Sequence, residues 1–317
     1  MNYRTLGRTG LRVSEIGLGT MVHAGHFGPM NDADSLSAIA AALDLGVNFI
    51  DTSNAYGNGY SETLLGKALK GKRDKVILAT KGGNIMTGPK RGTTDFAPEY
   101  IAQILEESLQ RLQTDHVDLY QLHNPKVPEL QDGALVEMLR QRKAQGKIRF
   151  LGASVNTMEE GMVAVTCGHW DVIQLEHNIL LQEPEQEVFP LAQRANVGII
   201  SRVPLRRGLL TGKITLKDVD RFTDGDVRAR LFAGEALAKE LAKVDAVRFI
   251  EKPPIKSLAQ AAIAYCLAHP AVGTVIPGAR NAQQMRDNAS ASGVRLSESD
   301  LARLHELWRN GFAVSRS

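Results

Sequence analysis

Four residues in the first 123 are of types that can carry a proton to or from an oxygen atom. Asp51 and Tyr56 lie in "NFIDTSNAYGNGYSETLLGKAL", Lys81 ends "KVILATK", and His123 ends "HVDLYQLH". A free phenol has a pKa near ~10, too high to release a proton readily at neutral pH. An ammonium beside it favours the phenolate, and a carboxylate beside the ammonium keeps that group charged and fixed. Asp51, Lys81 and Tyr56 in contact would form a tuned proton donor, and His123 would add a hydrogen bond to a carbonyl oxygen, polarising and orienting it. Taken singly, each residue also has a structural explanation. Asp51 can cap the loop leading to Ser53 and Asn54, Tyr56 can be an amphipathic wall residue, Lys81 a solvated strand end, and His123 hydrogen-bonded packing. As a set they read as chemistry. No nucleophile is poised by a base, no two carboxylates face each other, and His23 and His26 lack further ligands at metal spacing, so no metal is expected. What remains is proton transfer to a carbonyl oxygen while another agent attacks the carbon, and hydride is the natural candidate.

Bringing these groups together requires adjacent parallel strands, which lie about 4.8 Å apart. Short apolar runs predict eight strands, near 16–20, 47–51, 76–81, 117–122, 149–154, 172–175, 198–202 and 272–276. Helical periodicity falls between them over 32–45, 61–70, 98–112, 134–145, 184–195 and 257–268. Aspartates in "DADSLSAIAAALDLG" cap the first of these, with Gly46 just past its end. Pro270 stops the last, since its ring cannot continue a helix. Strand–helix alternation implies parallel strands with right-handed crossovers. An open Rossmann sheet would carry G-x-G-x-x-G after its first strand. This chain has "GLGTMV" there, with Val22 in the third glycine's place. Eight repeats without a linker favour a (β/α)8 TIM barrel spanning residues 1–317 as one domain, whose active groups would gather at the C-terminal strand ends. "YRTLGRTGLRVSE" predicts a hairpin around Gly7 to Gly10. Residues 203–256 form a long connection after the seventh strand, with a helical piece near 235–250, in the manner of lids and binding loops. "SESDLARLHELW" predicts a final helix capped by Ser297.

Composition excludes several classes of function. Hydrophobic residues make up 43% and charged residues 23% of the 317, as in ordinary globular proteins. A net charge of +3, evenly spread, does not announce nucleic acid, and "KGKRDK" at 70–75 reads as a solvated turn. The apolar runs are too short for a membrane span, and the N-terminus lacks an apolar signal core, so a cytoplasmic protein is expected. Cys167 and Cys266, without CxxC spacing, read as reduced structural thiols.

"YRTLGRTGLRVSEIGLGT", "GVNFIDTSNAYGNGYSETLLGKAL", "KVILATKGG" and "VDLYQLHNP" resemble the aldo-keto reductase superfamily from residue 3 to about residue 290. The resemblance implies a barrel that binds NADPH without a Rossmann domain. Tyr56 would be the general acid, Lys81 and Asp51 its tuning groups, and His123 the group that orients the substrate. It further implies that Ser154 and Gln174 hold the nicotinamide carboxamide. Val155 replaces the family's usual asparagine, and Asn156 stands out of register. In "RVPLRRGLLTGK", Arg202 takes the place of an aromatic that stacks on the nicotinamide, which a planar guanidinium can also do. Pro204, Leu205 and Gly208 follow it as cofactor contacts. Gly19, Thr20 and Met21 would approach the nicotinamide ribose, and Asp51 would serve both acid and cofactor. In "VIPGARNAQQMRDN", Arg280, Gln284 and Asn288 would contact the adenosine phosphate. Gly278 replaces a common lysine, so 2′-phosphate recognition would fall mainly on Arg280, an arginine being able to grip a phosphate through two parallel hydrogen bonds.

The resemblance therefore implies an NADP-dependent oxidoreductase interconverting a small aldehyde, ketone or sugar with its alcohol, in the bacterial branch that holds aldose dehydrogenases and general aldehyde reductases. NADPH is expected over NADH. The alternative is a cofactor-binding regulatory subunit with weak turnover, which the complete four-residue set argues against. A metal-assisted isomerase or hydrolase on the same barrel would need clustered carboxylates and histidines at the strand ends, and the sequence lacks them.

Overall fold

The computed structural model of the protein describes residues 1–222 and 225–312. Two short strands, β1 (Tyr3–Thr5) and β2 (Arg12–Ser14), pair antiparallel with Tyr3 opposite Ser14, which is the expected hairpin. Eight parallel strands follow in chain order: β3 (Leu18–Gly19), β4 (Phe49–Asp51), β5 (Ile77–Gly82), β6 (Val117–His123), β7 (Ile148–Ser154), β8 (Val172–Glu176), β9 (Gly198–Arg202) and β10 (Val272–Ile276). The sheet closes on itself. Gly17 N–H donates to Val275 O at 2.8 Å and Gly19 N–H to Pro277 O at 3.0 Å, so the first strand region pairs with the last. The result is the (β/α)8 barrel with its N-terminal hairpin. No helix among the described residues is long and apolar enough to cross a membrane.

Helices pack outside the strands with the expected periodicity. In Pro98–Leu112 the buried positions are Ile101, Ala102, Ile104, Leu105, Ser108, Leu109 and Leu112, one face of a 3.6-residue repeat. The helix expected over 184–195 is instead two pieces, Glu183–Gln186 and Val188–Arg194, with non-helical backbone at Glu187 (φ −120°, ψ −64°). Pro190 explains the break, because it lacks the N–H that would reach back four residues to Gln186 and its ring crowds that carbonyl. The long connection carries the helix Ala236–Val247, extended by a 3-10 turn at Arg248–Ile250.

The barrel interior is layered, and its layers can be counted along the strands. Leu6, Leu11 and Val13 of the hairpin floor pack with Phe49, Ala79, Leu119, Val172, Ile200 and Ile276 into one apolar plug. Side chains alternate faces along a strand, so the next inward position lies two residues on. Two residues past this layer stand Asp51, Lys81, Gln121, Gln174 and Arg202, on β4, β5, β6, β8 and β9 in turn. A further step of two brings His123 and Glu176 to the rim. The plug seals the floor of a polar layer that a continuous hydrophobic interior could not otherwise contain.

Close approach between two outer helices depends on Gly66, within Tyr60–Ala68. A Cβ there would overlap the Arg111 carbonyl oxygen and stand 2.9 Å from the carbonyl carbon of Leu112. Backbone cannot swing aside as a side chain can. Gly66→Ala should therefore destabilise the fold by about 1–3 kcal/mol, the usual cost of overpacking. Urea denaturation measures this, and an unchanged midpoint would show that the two helices separate freely.

Candidate active site

Lys81 is fully buried yet has a partner for every ammonium hydrogen. Its Nζ donates to Asp51 Oδ1 at 2.5 Å, to Thr52 O at 2.9 Å and to Tyr56 OH at 3.2 Å. The same Nζ stands 5.0 Å from the Tyr56 ring centroid. Burial alone would lower the lysine pKa. The charge of Asp51 and the Tyr56 oxygen, with the hydrogen bonds to both, outweigh it and carry the net shift upward. The site thus keeps a permanent cation against a phenol oxygen.

Strand register explains why these groups meet. Asp51 pairs with Ala79, two residues before Lys81, and Lys81 lies beside Gln121. His123 pairs with Ser154, which in turn pairs with Gln174. Past β4 the chain turns through Ser53–Tyr56, where Tyr56 N–H donates to Ser53 O at 3.1 Å, and this turn carries the phenol back over the lysine. The Tyr56 ring meets His123 edge-on at 6.0 Å and 89°.

His123 Nδ1 lies 2.9 Å from Ser53 Oγ. With the hydroxyl donating to Nδ1, the ring carries its proton on Nε2. Burial first, then the charges of Lys81 and Arg202, hold its pKa well below the ordinary histidine value. A neutral ring offering one N–H beside a phenol is suited to binding an oxygen atom that accepts hydrogen bonds.

The other oxygen of Asp51 faces two amides. Oδ2 accepts from Gln121 Nε2 at 3.0 Å and from Gln174 Nε2 at 2.9 Å, and Gln174 Nε2 also donates to Gln121 Oε1 at 3.1 Å. Ser154 Oγ lies 3.4 Å from Gln174 Oε1. The structure thus brings together Asp51, Tyr56, Lys81 and His123, grouped by strand-end position, with Ser154 and Gln174, named through the resemblance. Gln121 escaped the sequence reading, although its place two residues before His123 on the same strand face was the signal for it.

Around this assembly the expected cofactor residues divide. Arg202 donates through Nη2 to Val155 O at 3.1 Å and to Asn156 Oδ1 at 2.8 Å. Asn156 thus holds the arginine, and Val155 is fully buried. Glu176, left without a role from sequence alone, accepts from Arg206 Nη1 at 2.7 Å and Arg207 Nη2 at 3.0 Å. It lies 3.9 Å from Arg202 Nη1. Burial would raise its pKa, but Arg207, Arg206 and Arg202 together bring it down. Val203, Arg206 and Arg207 adopt left-handed backbone (φ 57°, 46° and 56°); the Glu176 pairs hold the two arginines, and Asn178 Nδ2 donates to Val203 O at 3.1 Å. Pro204, Leu205 and Gly208 belong to this same turn.

Gly19 closes the barrel at the level of Asp51, and Thr20 packs beside it at the mouth end. Thr20 Oγ1 donates to Asp51 O at 3.0 Å and receives Ser61 Oγ at 2.8 Å. Met21 opens a short 3-10 turn, Met21–Ala24. Arg280, Gln284 and Asn288 form a separate group past β10 that shares no hydrogen bond with the Asp51 assembly among the described residues. Arg280 donates to Phe27 O at 2.7 Å and to Pro29 O, its N–H donates to Gln284 Oε1 at 2.9 Å, and Asn288 Nδ2 donates to Gly278 O at 3.0 Å. No group of three or more metal-capable side chains occurs among the described residues. His26, also without a role from sequence, meets the Tyr56 ring edge-on at 6.1 Å, and its buried Nε2 has no partner among the described residues.

The chain matches the family model "Aldo/keto reductase family" over residues 15–309. It is 34% identical to the aldo-keto reductase YhdN of Bacillus subtilis over 321 residues, covering 98% of this chain and 94% of that protein. It is 30% identical to the NADH-specific methylglyoxal reductase of Escherichia coli, covering 95% of this chain and 97% of that one. Its fold superposes on the structure of the glycerol dehydrogenase from Gluconobacter oxydans with a TM-score of 0.83 at 28% identity, covering 100% of this chain and 98% of that one. A closed eight-stranded barrel with a lysine, an aspartate and a tyrosine joined at its mouth, matched along nearly its whole length, belongs to the aldo/keto reductase family of oxidoreductases.

Proposed function

We propose that this protein is an NADPH-dependent reductase of small aldehydes, ketones or sugars, with Tyr56 delivering the proton. The observation that carries this reading is the Lys81 ammonium lying between Asp51 and the Tyr56 oxygen. As the phenol proton leaves toward a carbonyl oxygen, charge builds on the Tyr56 oxygen next to a cation already in place, and no reorganisation is needed to meet it. Asp51 prevents that cation from drifting. His123, through Nε2–H, would bind the same carbonyl oxygen and set the angle of the carbon. In the reverse direction Tyr56 accepts the alcohol's proton.

The residues at the mouth fit a nicotinamide cofactor. Gln174 Oε1 and Ser154 Oγ offer acceptor and donor for an amide, and Arg202 presents a half-buried guanidinium whose Nε has no partner among the described residues. When bound, the cofactor supplies hydride. Arg280 is suited to a phosphate on the adenosine side. Its present partners are neutral backbone carbonyls, and a phosphate would meet the same guanidinium with a charged acceptor in a bidentate geometry. One relative is named as NADH-specific, so the choice of cofactor rests on Arg280 in this chain. Relatives named for methylglyoxal and for glycerol support a short substrate with oxygen on neighbouring carbons.

Tyr56→Phe keeps the ring and removes the proton. It should bind NADPH as the wild type does, by fluorescence titration, while kcat for a small aldehyde falls at least about 100-fold, within the range for lost general acid catalysis. Full turnover by Tyr56→Phe would remove the phenol from the mechanism. Absence of NADPH binding by the wild type would overturn the reading as a whole.

Arg280→Met should weaken NADPH by about 10–100-fold, the worth of one hydrogen bond to a charged group, and leave NADH nearly unchanged. If both cofactors weaken equally, Arg280 reads no 2′-phosphate. His123 should stay neutral at pH 6, because burial and the Lys81 and Arg202 charges lower its pKa. Its imidazole nitrogen shifts report this directly, and a midpoint at or above the ordinary value of about 6.5 would contradict the packing described. The sign for stability follows from proton binding. The unfolded chain takes up a proton below about pH 6.5 that the folded ring refuses, so this residue costs stability as pH falls through that value.

A further inference from the structure

Gln121 is fully buried on β6, in a barrel whose layer below is apolar. A buried amide costs free energy unless its polar atoms are bonded. Every side-chain hydrogen bond Gln121 makes among the described residues goes to one of two site residues. Nε2 donates to Asp51 Oδ2 at 3.0 Å, and Oε1 accepts from Gln174 Nε2 at 3.1 Å. Gln174 Nε2 closes the triangle on Asp51 Oδ2 at 2.9 Å. The barrel also leaves room for this side chain. Gly152 is its neighbour in register on β7, and a Cβ there would stand 3.0 Å from Gln121 Cγ.

An ionised carboxylate only accepts hydrogen bonds. Both amides must therefore turn their nitrogen toward Asp51, which determines how each can be placed. The two hydrogens of Gln174 Nε2 are both used, one on Asp51 and one on Gln121. Gln174 can then present only its oxygen to a further partner, which makes it an acceptor for an amide N–H. On the other side, two donors on Oδ2 hold the carboxylate so that Oδ1 stays on Lys81.

We propose that Gln121 is a positioning residue. It ties the proton-donating group Asp51–Lys81–Tyr56 to the amide of Gln174, so that cofactor binding and tuning of the acid depend on one shared oxygen. This rests on the reading of the site as an NADPH-dependent reductase. Loss of Gln121 removes a donor that stabilises negative charge on Asp51. The cluster, titrating as a unit, should then give up its proton less readily, and Gln174 becomes free to flip.

Gln121→Met keeps the length of the side chain and removes both polar atoms. NADPH affinity by fluorescence titration should weaken about tenfold, and the alkaline limb of the kcat–pH profile should move up by at least half a unit. With Gln174→Met already present, Gln121→Met should cost NADPH affinity less than twofold more, because the contact between the two is already gone. Gln174→Met alone reads the same link from its other end and should also move the alkaline limb upward, which keeps the test open should Gln121→Met fail to fold. A lower melting temperature with unchanged NADPH affinity and pH profile would overturn the proposal, leaving Gln121 a packing residue. Additive losses in the double variant would overturn it as well, as would a Gln174→Met profile coincident with the wild type. Wild-type protein that neither binds NADPH nor reduces an aldehyde would sink the reductase reading itself, an outcome visible before any variant is compared.

Discussion

The Lys81–Asp51 ion pair is the interaction around which the rest of the barrel mouth is organised. Removing a carboxylate and an ammonium from water costs several kcal/mol per ion even after relaxation, and their attraction repays this only when every remaining polar valence is met. Here it is met on both sides. Lys81 spends its three hydrogens on Asp51, Thr52 and Tyr56, while Asp51 spends its second oxygen on Gln121 and Gln174. These partners come from four strands and one turn. A one-residue slip of β4, β5, β6 or β8 would turn one of them outward and leave an unpaired charge in the interior. The pair therefore demands the register as much as the register places the pair.

The apolar plug below makes the demand absolute. Hairpin residues Leu6, Leu11 and Val13 join Phe49, Ala79, Leu119, Val172, Ile200 and Ile276 to close the floor, so water reaches the polar layer only from the mouth. In such surroundings charges interact more strongly than in bulk water. One consequence is that the Lys81 cation is felt at His123, whose pKa burial and Lys81 depress together. A histidine kept neutral can donate a hydrogen bond to an oxygen atom without itself carrying charge into the site. The two donors differ in role because the same cation acts on each differently, by hydrogen bond to the phenol and by repulsion on the imidazole.

Much of this was legible in the chain before any coordinates. Strand ends carry their residues to a shared rim, so Asp51, Lys81 and His123 could be grouped from apolar runs alone, and the hairpin and the long connection were plain from turn residues and spacing. Helix 184–195 was misread as continuous because its apolar face survives the break at Glu187; Pro190 was the available sign. Gln121 and Glu176 were missed for a different reason. A glutamine or glutamate on a strand reads as an ordinary polar residue until the inward face is counted in steps of two from a residue of known role. The left-handed backbone at Val203, Arg206 and Arg207 has no such signature, since nothing about a valine announces a positive φ. Tertiary contacts hold it, Glu176 on the two arginines and Asn178 Nδ2 on the Val203 carbonyl.

The two ends of the site are built to different standards, and the difference follows from what each must tolerate. At the Asp51 end the bonds run among buried strand residues and the turn just past β4, and loss of Asp51 or Lys81 would strand the other's charge. At the Arg280 end the guanidinium rests on the carbonyls of Phe27 and Pro29, neutral groups that water can satisfy once released. The segment donating those carbonyls is held in turn by Arg228, which reaches Phe27 O at 2.9 Å, and by Val227 N–H on His26 O at 3.0 Å. A doubly charged phosphate arriving there would replace neutral acceptors with charged ones and loosen a contact between two loops. The chemistry of proton transfer tolerates no such exchange, because an oxygen displaced by even an ångström loses its donor. Strands and the turn just past β4 therefore hold the Asp51–Lys81–Tyr56 group, and loops hold Arg280.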